Sequence, residues 1–304
     1  MPVVWQISVL HLTNQRSLIR GTLLKYAPYH YDKKVSGFRN FLKIGRSYFT
    51  ATYANKEIRV TVGANELHSS TDKDGYFELI ANGGHQDEIK VFLPGSEVPV
   101  EHVQDYPLVF QESLSKLGVI SDIDDTIVVS HTANFFKRIR TLAFKVPNKR
   151  VGIPFTRSVF EKAKKQNACF FYISRSESNL LGALIAFIRH NGLPKGMIFL
   201  TPYLSFLRLF NPKKDVNYKI SHIRFLIEHA GIERYILLGD DSQHDVRIYR
   251  DVVKLFPDKI QQVYIRKTRQ KLSASRQQMM DDLKSSGVPV TYFSADDELD
   301  VMET

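Results

Sequence analysis

Two short acidic stretches carry most of the chemistry in this sequence. The first, Val119-Ile120-Ser121-Asp122-Ile123-Asp124-Asp125-Thr126, closes an apolar run. In an extended strand residues i and i+2 project to the same side, so Asp122 and Asp124 leave the end of that strand together and face one pocket. A carboxylate so placed can attack phosphorus to give an aspartyl-phosphate, while its neighbour protonates the leaving oxygen and later deprotonates water. Such a pair repels itself unless a cation lies between the oxygens, and Mg2+, with its preference for oxygen ligands, suits that place. Asp125 and Thr126 also read as caps of the next helix, which leaves Asp122 and Asp124 unexplained.

The second stretch, Leu237-Leu238-Gly239-Asp240-Asp241-Ser242-Gln243-His244-Asp245, is again acidic where an apolar run ends. Asp240 is the best candidate for a further metal carboxylate. Capping accounts for Ser242 or Asp241, but the carboxylates of Asp240, Asp241 and Asp245 together exceed what a cap needs. Ser174 ends another apolar run and its hydroxyl can donate to a phosphoryl oxygen, although a serine after a strand is commonly a turn residue. Lys219 can neutralise a phosphoryl group, with Lys213 and Lys214 as competitors for that role.

Apolar runs at Leu117 to Ile123, Ala168 to Ile173, Met197 to Leu200, Tyr235 to Leu238 and Gln262 to Ile265 predict the strands that position these residues. Helical periodicity falls between most of them, at Phe155 to Lys165, Asn179 to Arg189, Tyr218 to His229 and Gln243 to Phe256. The alternation predicts an α/β fold with a doubly wound parallel sheet, whose ligands sit beyond the carboxyl ends of the strands. Before it, Trp5 to Leu10, Leu18 to Leu24, Glu57 to Val62, Gly75 to Ala81 and Ile89 to Phe92 predict the short strands of a small β-sandwich. A helix is expected over Val35 to Ser47. Ser70 to Phe77 is expected to be a tight turn whose aromatic enters the core. The expected division is a β-sandwich accessory domain over 1–110, the α/β domain over 111–270, and a C-terminal helix with an acidic tail over 271–304.

Composition narrows the class. The hydrophobic fraction of 43% and charged fraction of 24% are those of a folded globular protein. The longest apolar stretch, Leu180 to Ile188, is far short of the ~20 residues a bilayer crossing requires. The amino terminus has no basic start ahead of an apolar run, so no export signal is expected and the cytoplasm is the expected compartment. The single cysteine, Cys169, excludes a disulfide framework and is expected as a buried thiol. The net charge is +10, and the last ten residues hold five acids and no base, so residues 1–294 carry +15. That surplus favours an anionic partner, either nucleic acid or acidic lipid.

The motifs taken in order are specific. D-x-D-x-T at Asp122 to Thr126, the strand-ending Ser174, Lys219, and G-D-D-x-x-x-D at Gly239 to Asp245 resemble the four motifs of the haloacid-dehalogenase superfamily. Within it, S-D-I-D-D-T-I at Ser121 to Ile127, Y-I-S at Tyr172 to Ser174, and G-D-D-S-Q-H-D at Gly239 to Asp245 resemble the catalytic domain of actin-patch-type phosphatidate phosphatases, over about Leu117 to Lys267. The resemblance implies Asp122 as nucleophile, Asp124 as acid/base, Ser174 and Lys219 as phosphate holders, and Asp122, the Asp124 carbonyl and Asp240 as Mg2+ ligands, with Asp245 secondary. The implied reaction is hydrolysis of phosphatidate to diacylglycerol and phosphate. The sequence departs from the family after the serine, with Arg175-Ser176-Glu177-Ser178, and has no proline-rich tail after Lys271.

Thr132 to Arg150 holds Lys137, Arg138, Arg140, Lys145, Lys149 and Arg150 with no acid, interleaved with Phe135, Phe136, Leu142 and Phe144. Such a segment suits the surface of an anionic phospholipid membrane, peripheral and without a span, and equally suits a cap folded over the site. Tyr203 to Phe210, followed by Lys213 and Lys214, is a second candidate. Rival functions are a phosphatase of soluble phosphomonoesters, a non-catalytic phosphatidate-binding module, which the presence of both Asp124 and Lys219 opposes, and nucleic-acid end processing, for which no recognised motif speaks.

Overall fold

A computed structural model describes residues 1–28, 45–83, 88–103, 106–110, 115–123, 154–202, 217–268, 272–294 and 297. The carboxyl-terminal half is built on a six-stranded sheet, all parallel, in the order β11-β10-β9-β12-β13-β14. Its strands are β9 (Leu117–Ser121), β10 (Cys169–Glu177), β11 (Met197–Thr201), β12 (Arg234–Asp240), β13 (Ile260–Arg266) and β14 (Val290–Phe293). The helices are α1 (Pro154–Lys165), α2 (Leu181–His190), α3 (Tyr218–His229), α4 (Gln243–Leu255) and α5 (Ala274–Lys284).

The apolar residues of these strands alternate between two cores, as a strand's period of two requires. Val119, Tyr172, Ile236 and Leu238 pack with Phe160 of α1 and Leu184 of α2 on one face. Ile120, Phe171, Tyr235 and Leu237 pack with Leu226 of α3, Val252 of α4 and Leu283 of α5 on the other. The sheet is therefore covered on both sides, which is the doubly wound arrangement read from the sequence. The chain winds from β9 outward to β11 on one side, then returns to β12 and winds to β14 on the other. The crevice beyond the carboxyl ends of adjacent β9 and β12 is the switch point where such sheets bind ligands.

The amino-terminal strands are β1 (Val3–Leu12), β2 (Arg16–Leu24), β3 (Glu57–Val62), β4 (Asn65–Ser70), β5 (Tyr76–Asn82), β6 (Ile89–Phe92), β7 (Glu101–His102) and β8 (Val109–Phe110). They make a sheet in the order β5-β2-β1-β7, with β8 also on β1, and a three-stranded sheet β4-β3-β6. Val4, Val9, Ile19 and Leu23 from the first sheet share a core with Ile58, Val60, Val62 and Val91 from the second. The opposite face of β1 and β2 is equally apolar. Val3, Trp5 and Leu24 join the α1/α2 core, and Leu10, Leu12 and Leu18 join the α3/α4/α5 core. Every residue of β1 is consequently buried. At the turn before β5 the Asp72 carboxylate accepts from the amides of Asp74 and Tyr76 at 2.8 and 2.9 Å, Gly75 adopts φ +75°, and Phe77 is buried. This is the expected turn, and the left-handed φ accounts for its glycine.

Most of the expected helix over Val35 to Ser47 lies outside the described residues; 45–47 are helical. Cys169 is only half-buried, because it opens β10 at the sheet's edge of entry rather than within the run. No helix among the described residues is long and apolar enough to cross a membrane.

Candidate active site

Asp122 follows the last residue of β9 and Asp240 is the last residue of β12, so the two carboxylates occupy the switch-point crevice from neighbouring strands. Their backbones are tied directly: the Asp122 amide donates to the Leu238 carbonyl at 2.9 Å. Both side chains are buried, as are Ser174, Lys219, Asp241 and Asp245. The Lys219 ammonium, second residue of α3, lies 2.7 Å from Asp122 Oδ1 and 2.7 Å from Asp245 Oδ1. Burial pulls the Lys219 pKa down, but Asp122 and Asp245 outweigh it, so the amine is held above its usual value and stays charged. Of the three candidate lysines Lys219 reaches the site; Lys213 and Lys214 lie outside the described residues.

Asp240 is perturbed in the opposite sense. Burial, then repulsion from Asp245, pushes its carboxyl up to about 6 against the pull of the Ser242 hydrogen bonds and Lys219. The Ser242 amide donates to Asp240 Oδ1 at 2.7 Å, and the Asp240 amide approaches Asp245 Oδ2 at 3.4 Å. Ser242 is the N-cap of α4 and accepts from the Asp245 amide. Asp245 thus sits in the first turn of α4, where the helix dipole favours an anion. Its carboxylate serves Lys219 on one oxygen.

Asp241 does something else. Its side chain is fully buried and accepts from the hydroxyls of Thr268 and Tyr292, the latter at 2.9 Å, while its amide donates to the Arg266 carbonyl at 2.9 Å. It ties the end of β12 to β13 and β14, so neither capping nor a place beside Asp122 describes it.

Gly239 is required by close approach. A Cβ there would stand 2.7 Å from the Tyr249 ring and 2.9 Å from Asp245 Oδ2, and Tyr249 is itself pinned by its hydroxyl donating to the Leu238 carbonyl at 2.9 Å. Ser174 lies two residues beyond the Tyr172–Ser121 rung that ends the β9–β10 ladder, on the same edge of the sheet as Asp122. Its Oγ accepts from the Ser176 amide at 2.9 Å, which uses a lone pair and not the hydroxyl hydrogen.

The residues Arg175 to Glu177 continue β10, with Glu177 pairing to Thr201 after a register shift. Asp124, Asp125, Thr126, Thr132 to Arg150 and Tyr203 to Phe210 lie outside the described residues. Sequence reasoning left Asp245 secondary and passed over Tyr249. The spacing of four between Asp245 and Tyr249 on one helix face was the available signal.

Residues 117–267 match the family model described as phosphatidate phosphatase APP1, catalytic domain. The chain is 29% identical over 155 residues to phosphatidate phosphatase APP1 of Saccharomyces cerevisiae, covering 49% of this chain and 26% of that protein. An uncharacterized protein of Schizosaccharomyces pombe is 25% identical over 234 residues, covering 71% of this chain and 36% of its own length. The chain thus spans between a quarter and about a third, 26% and 36%, of the curated relatives it matches. Among solved structures, the class C acid phosphatase of Bacillus anthracis with tungstate bound is 14% identical, with 56% of this chain and 80% of that chain covered at a TM-score of 0.34.

Proposed function

We propose that this chain is a phosphoric monoester hydrolase of the haloacid-dehalogenase type, acting on phosphatidate to give diacylglycerol and inorganic phosphate. The observation that carries the proposal is the buried Asp122 carboxylate at the switch point, held by Lys219 at 2.7 Å beside Asp240 on the next strand. The match of residues 117–267 to the phosphatidate phosphatase catalytic-domain model supports the substrate. In this reading an oxygen of Asp122 bonds to phosphorus as the ester oxygen leaves, and Asp124 supplies the proton that the departing alkoxide takes. Water then attacks the acyl phosphate, Asp124 receives its proton, and the bond from phosphorus to Asp122 breaks to free phosphate. Lys219 and Ser174 hold the phosphoryl oxygens.

A hard cation fits the residues present. Among the described residues three buried carboxylates, Asp122, Asp240 and Asp245, face one buried ammonium, and burial, then repulsion from Asp245, makes Asp240 resist ionisation despite Lys219. Asp122, Asp124 and Asp240 would hold Mg2+, which when bound supplies positive charge against the phosphoryl oxygens. The two amino-terminal sheets around one core are, in this reading, a small β-sandwich. The basic aromatic segment Thr132 to Arg150 docks the enzyme peripherally on the cytoplasmic face of an anionic bilayer.

The test is phosphate release from phosphatidate in mixed micelles and from a soluble phosphomonoester, with Mg2+ and with chelator. Asp122→Asn abolishes turnover and keeps the fold, because an amide is a poor nucleophile. Asp124→Asn accumulates a slowly decaying acyl phosphate, trapped by acid quench with labelled substrate. Near wild-type release by Asp122→Asn sinks the covalent mechanism.

A further inference from the structure

Ser174 lies where the regular pairing of β10 with β11 is interrupted. The ladder joins Ile173 to Phe199 and next Glu177 to Thr201, so Ser174, Arg175 and Ser176 of β10 stand against Leu200 alone in β11. On the other side the ladder to β9 has already ended at Tyr172. β10 therefore carries two residues in excess and must arch away from its partner. Bulges of this kind bend a strand and are used beside active sites to re-aim a side chain. Ser174 and Ser176 are both buried, and carbonyls of a buried arch that have left the ladder need other donors.

Thr201, the last residue of β11, supplies one. Its hydroxyl hydrogen is shared between the Ser176 carbonyl, 3.1 Å away, and the Arg175 carbonyl, 3.4 Å away. The Thr201 carbonyl in turn accepts from the Ser178 hydroxyl at 2.8 Å, so this one residue holds the arch from both of its ends. The amide of Ser176 donates to Ser174 Oγ at 2.9 Å. Ser176 thus joins the two hydroxyls: Thr201 holds its carbonyl and Ser174 receives its amide. Only the φ and ψ of Ser176 lie between those two groups, and the serine that receives the amide has a single χ angle. A serine hydroxyl has one hydrogen and two lone pairs. With the Ser176 amide on one lone pair, the oxygen is fixed and its hydrogen must point elsewhere.

We propose that Thr201 is a positioning residue for Ser174: its hydroxyl fixes the arch at Ser176, and the Ser176 amide fixes the hydroxyl that donates to a phosphoryl oxygen. The inference rests on the phosphatase reading above, in which Ser174 holds the phosphoryl group. It gives the end of β11 a part in the reaction although Thr201 itself does not touch the substrate.

The experiment uses the full chain. Thr201→Val keeps the branched shape and deletes the hydroxyl, and Thr201→Ser keeps the hydroxyl. Thr201→Val is also made in a Ser174→Ala chain. Each protein is assayed on p-nitrophenyl phosphate, for inhibition by orthovanadate, and for Tm. Ser174→Ala is expected to lose roughly 100-fold in kcat/KM, the usual cost of removing one donor from an oxygen that gains charge. Thr201→Val should lose roughly 5- to 20-fold, with vanadate bound correspondingly less tightly, since a misplaced donor forfeits part of that effect. Thr201→Ser should stay within about threefold of wild type, because the donor is kept. In the Ser174→Ala chain, Thr201→Val should cost less than about a further twofold, because the group that it places is gone. A merely structural threonine would cost as much with Ser174 absent as with it present, and that result overturns the proposal. Wild-type kinetics in Thr201→Val overturn it too, as does a Thr201→Ser protein as impaired as the valine variant. If Thr201→Val does not fold, Thr201→Ala takes its place in the same cycle and is judged by the same outcomes. A wild-type protein that releases no phosphate is a separate result: it removes the phosphatase reading and this inference with it.

Discussion

Gly239→Ala adds one carbon to the most crowded point of the site. The new Cβ would lie 2.7 Å from Tyr249 Cε2 and 2.9 Å from Asp245 Oδ2, both well inside van der Waals contact. Overpacking of this kind costs about 1–3 kcal/mol when neighbours shift to relieve it. Two escapes exist. Tyr249 can tilt, but it is 2% exposed, and tilting breaks its hydrogen bond to the Leu238 carbonyl. That carbonyl keeps the Asp122 amide, but the buried Tyr249 hydroxyl loses its acceptor, which costs about 1–3 kcal/mol more. Asp245 can swing instead, which parts it from Lys219. Asp245 is as buried as Tyr249, but its clashing atom is the end of a rotatable side chain and not part of a ring, so Asp245 is the group that yields.

The expected destabilisation is about 2–4 kcal/mol, or a loss of roughly 5–15 °C in Tm for a domain of this size. Activity falls at least about tenfold, because Lys219 loses one of the two carboxylates that fix it. Urea unfolding reports the stability and phosphate release the activity. Tyr249→Leu in the same chain removes the clashing ring, so the double variant should be less destabilised than the two single changes together by at least about 1 kcal/mol. A Gly239→Ala protein within about 0.5 kcal/mol of wild type and fully active would show that the crowding around Gly239 is not there.

Tyr292→Phe removes one of the two hydroxyl donors of the buried Asp241; it should destabilise by about 1–3 kcal/mol in urea unfolding while lowering kcat far less than Asp122→Asn, and an unchanged midpoint would refute the tie between β12 and β14. Replacing Lys137, Arg138 and Arg140 together with Gln should weaken sedimentation with phosphatidate vesicles by about 1 kcal/mol per charge and slow hydrolysis on them, with activity on a soluble phosphomonoester kept. Equal loss of both activities assigns the segment to a cap over the site.

The sheet was legible because its strands are apolar runs buried on both faces, and Tyr218–His229, Glu57–Val62 and Ile89–Phe92 fall where periodicity put them. Asn65–Ser70 was not, since it offers only Leu67 as an apolar signal and is held to β3 by backbone pairing with its side chains largely in water. Glu101–His102 and Val109–Phe110 are shorter than any pattern can register. At the site, Asp122 and Asp240 stood out because carboxylates ended apolar runs. The partners of Lys219 did not: they lie 97 and 26 residues away, Asp122 after β9 and Asp245 in α4, and only tertiary packing brings them to α3. The role of Asp241 was not legible for a related reason. Its spacing suits a cap or a ligand, whereas its hydroxyl donors come from Thr268 and Tyr292, which no local pattern connects to it.

Charge gives the site its remaining logic. Residues 1–294 carry +15, yet the buried centre sets three carboxylates against one ammonium. The two scales act at different distances. Long-range positive potential draws an anionic surface or substrate toward the protein and is screened over about 8 Å at physiological salt. Inside the crevice screening is lost, and a phosphate dianion meets carboxylates among which burial, then repulsion from Asp245, already pushes Asp240 up to about 6. Lys219 cannot offset that repulsion alone, because Asp122 and Asp245 already claim its charge. In the proposed reaction the phosphoryl group would need a second positive charge in the pocket before approaching Asp122, and the carboxylate oxygens of Asp122 and Asp240 are donors of the kind a hard cation prefers.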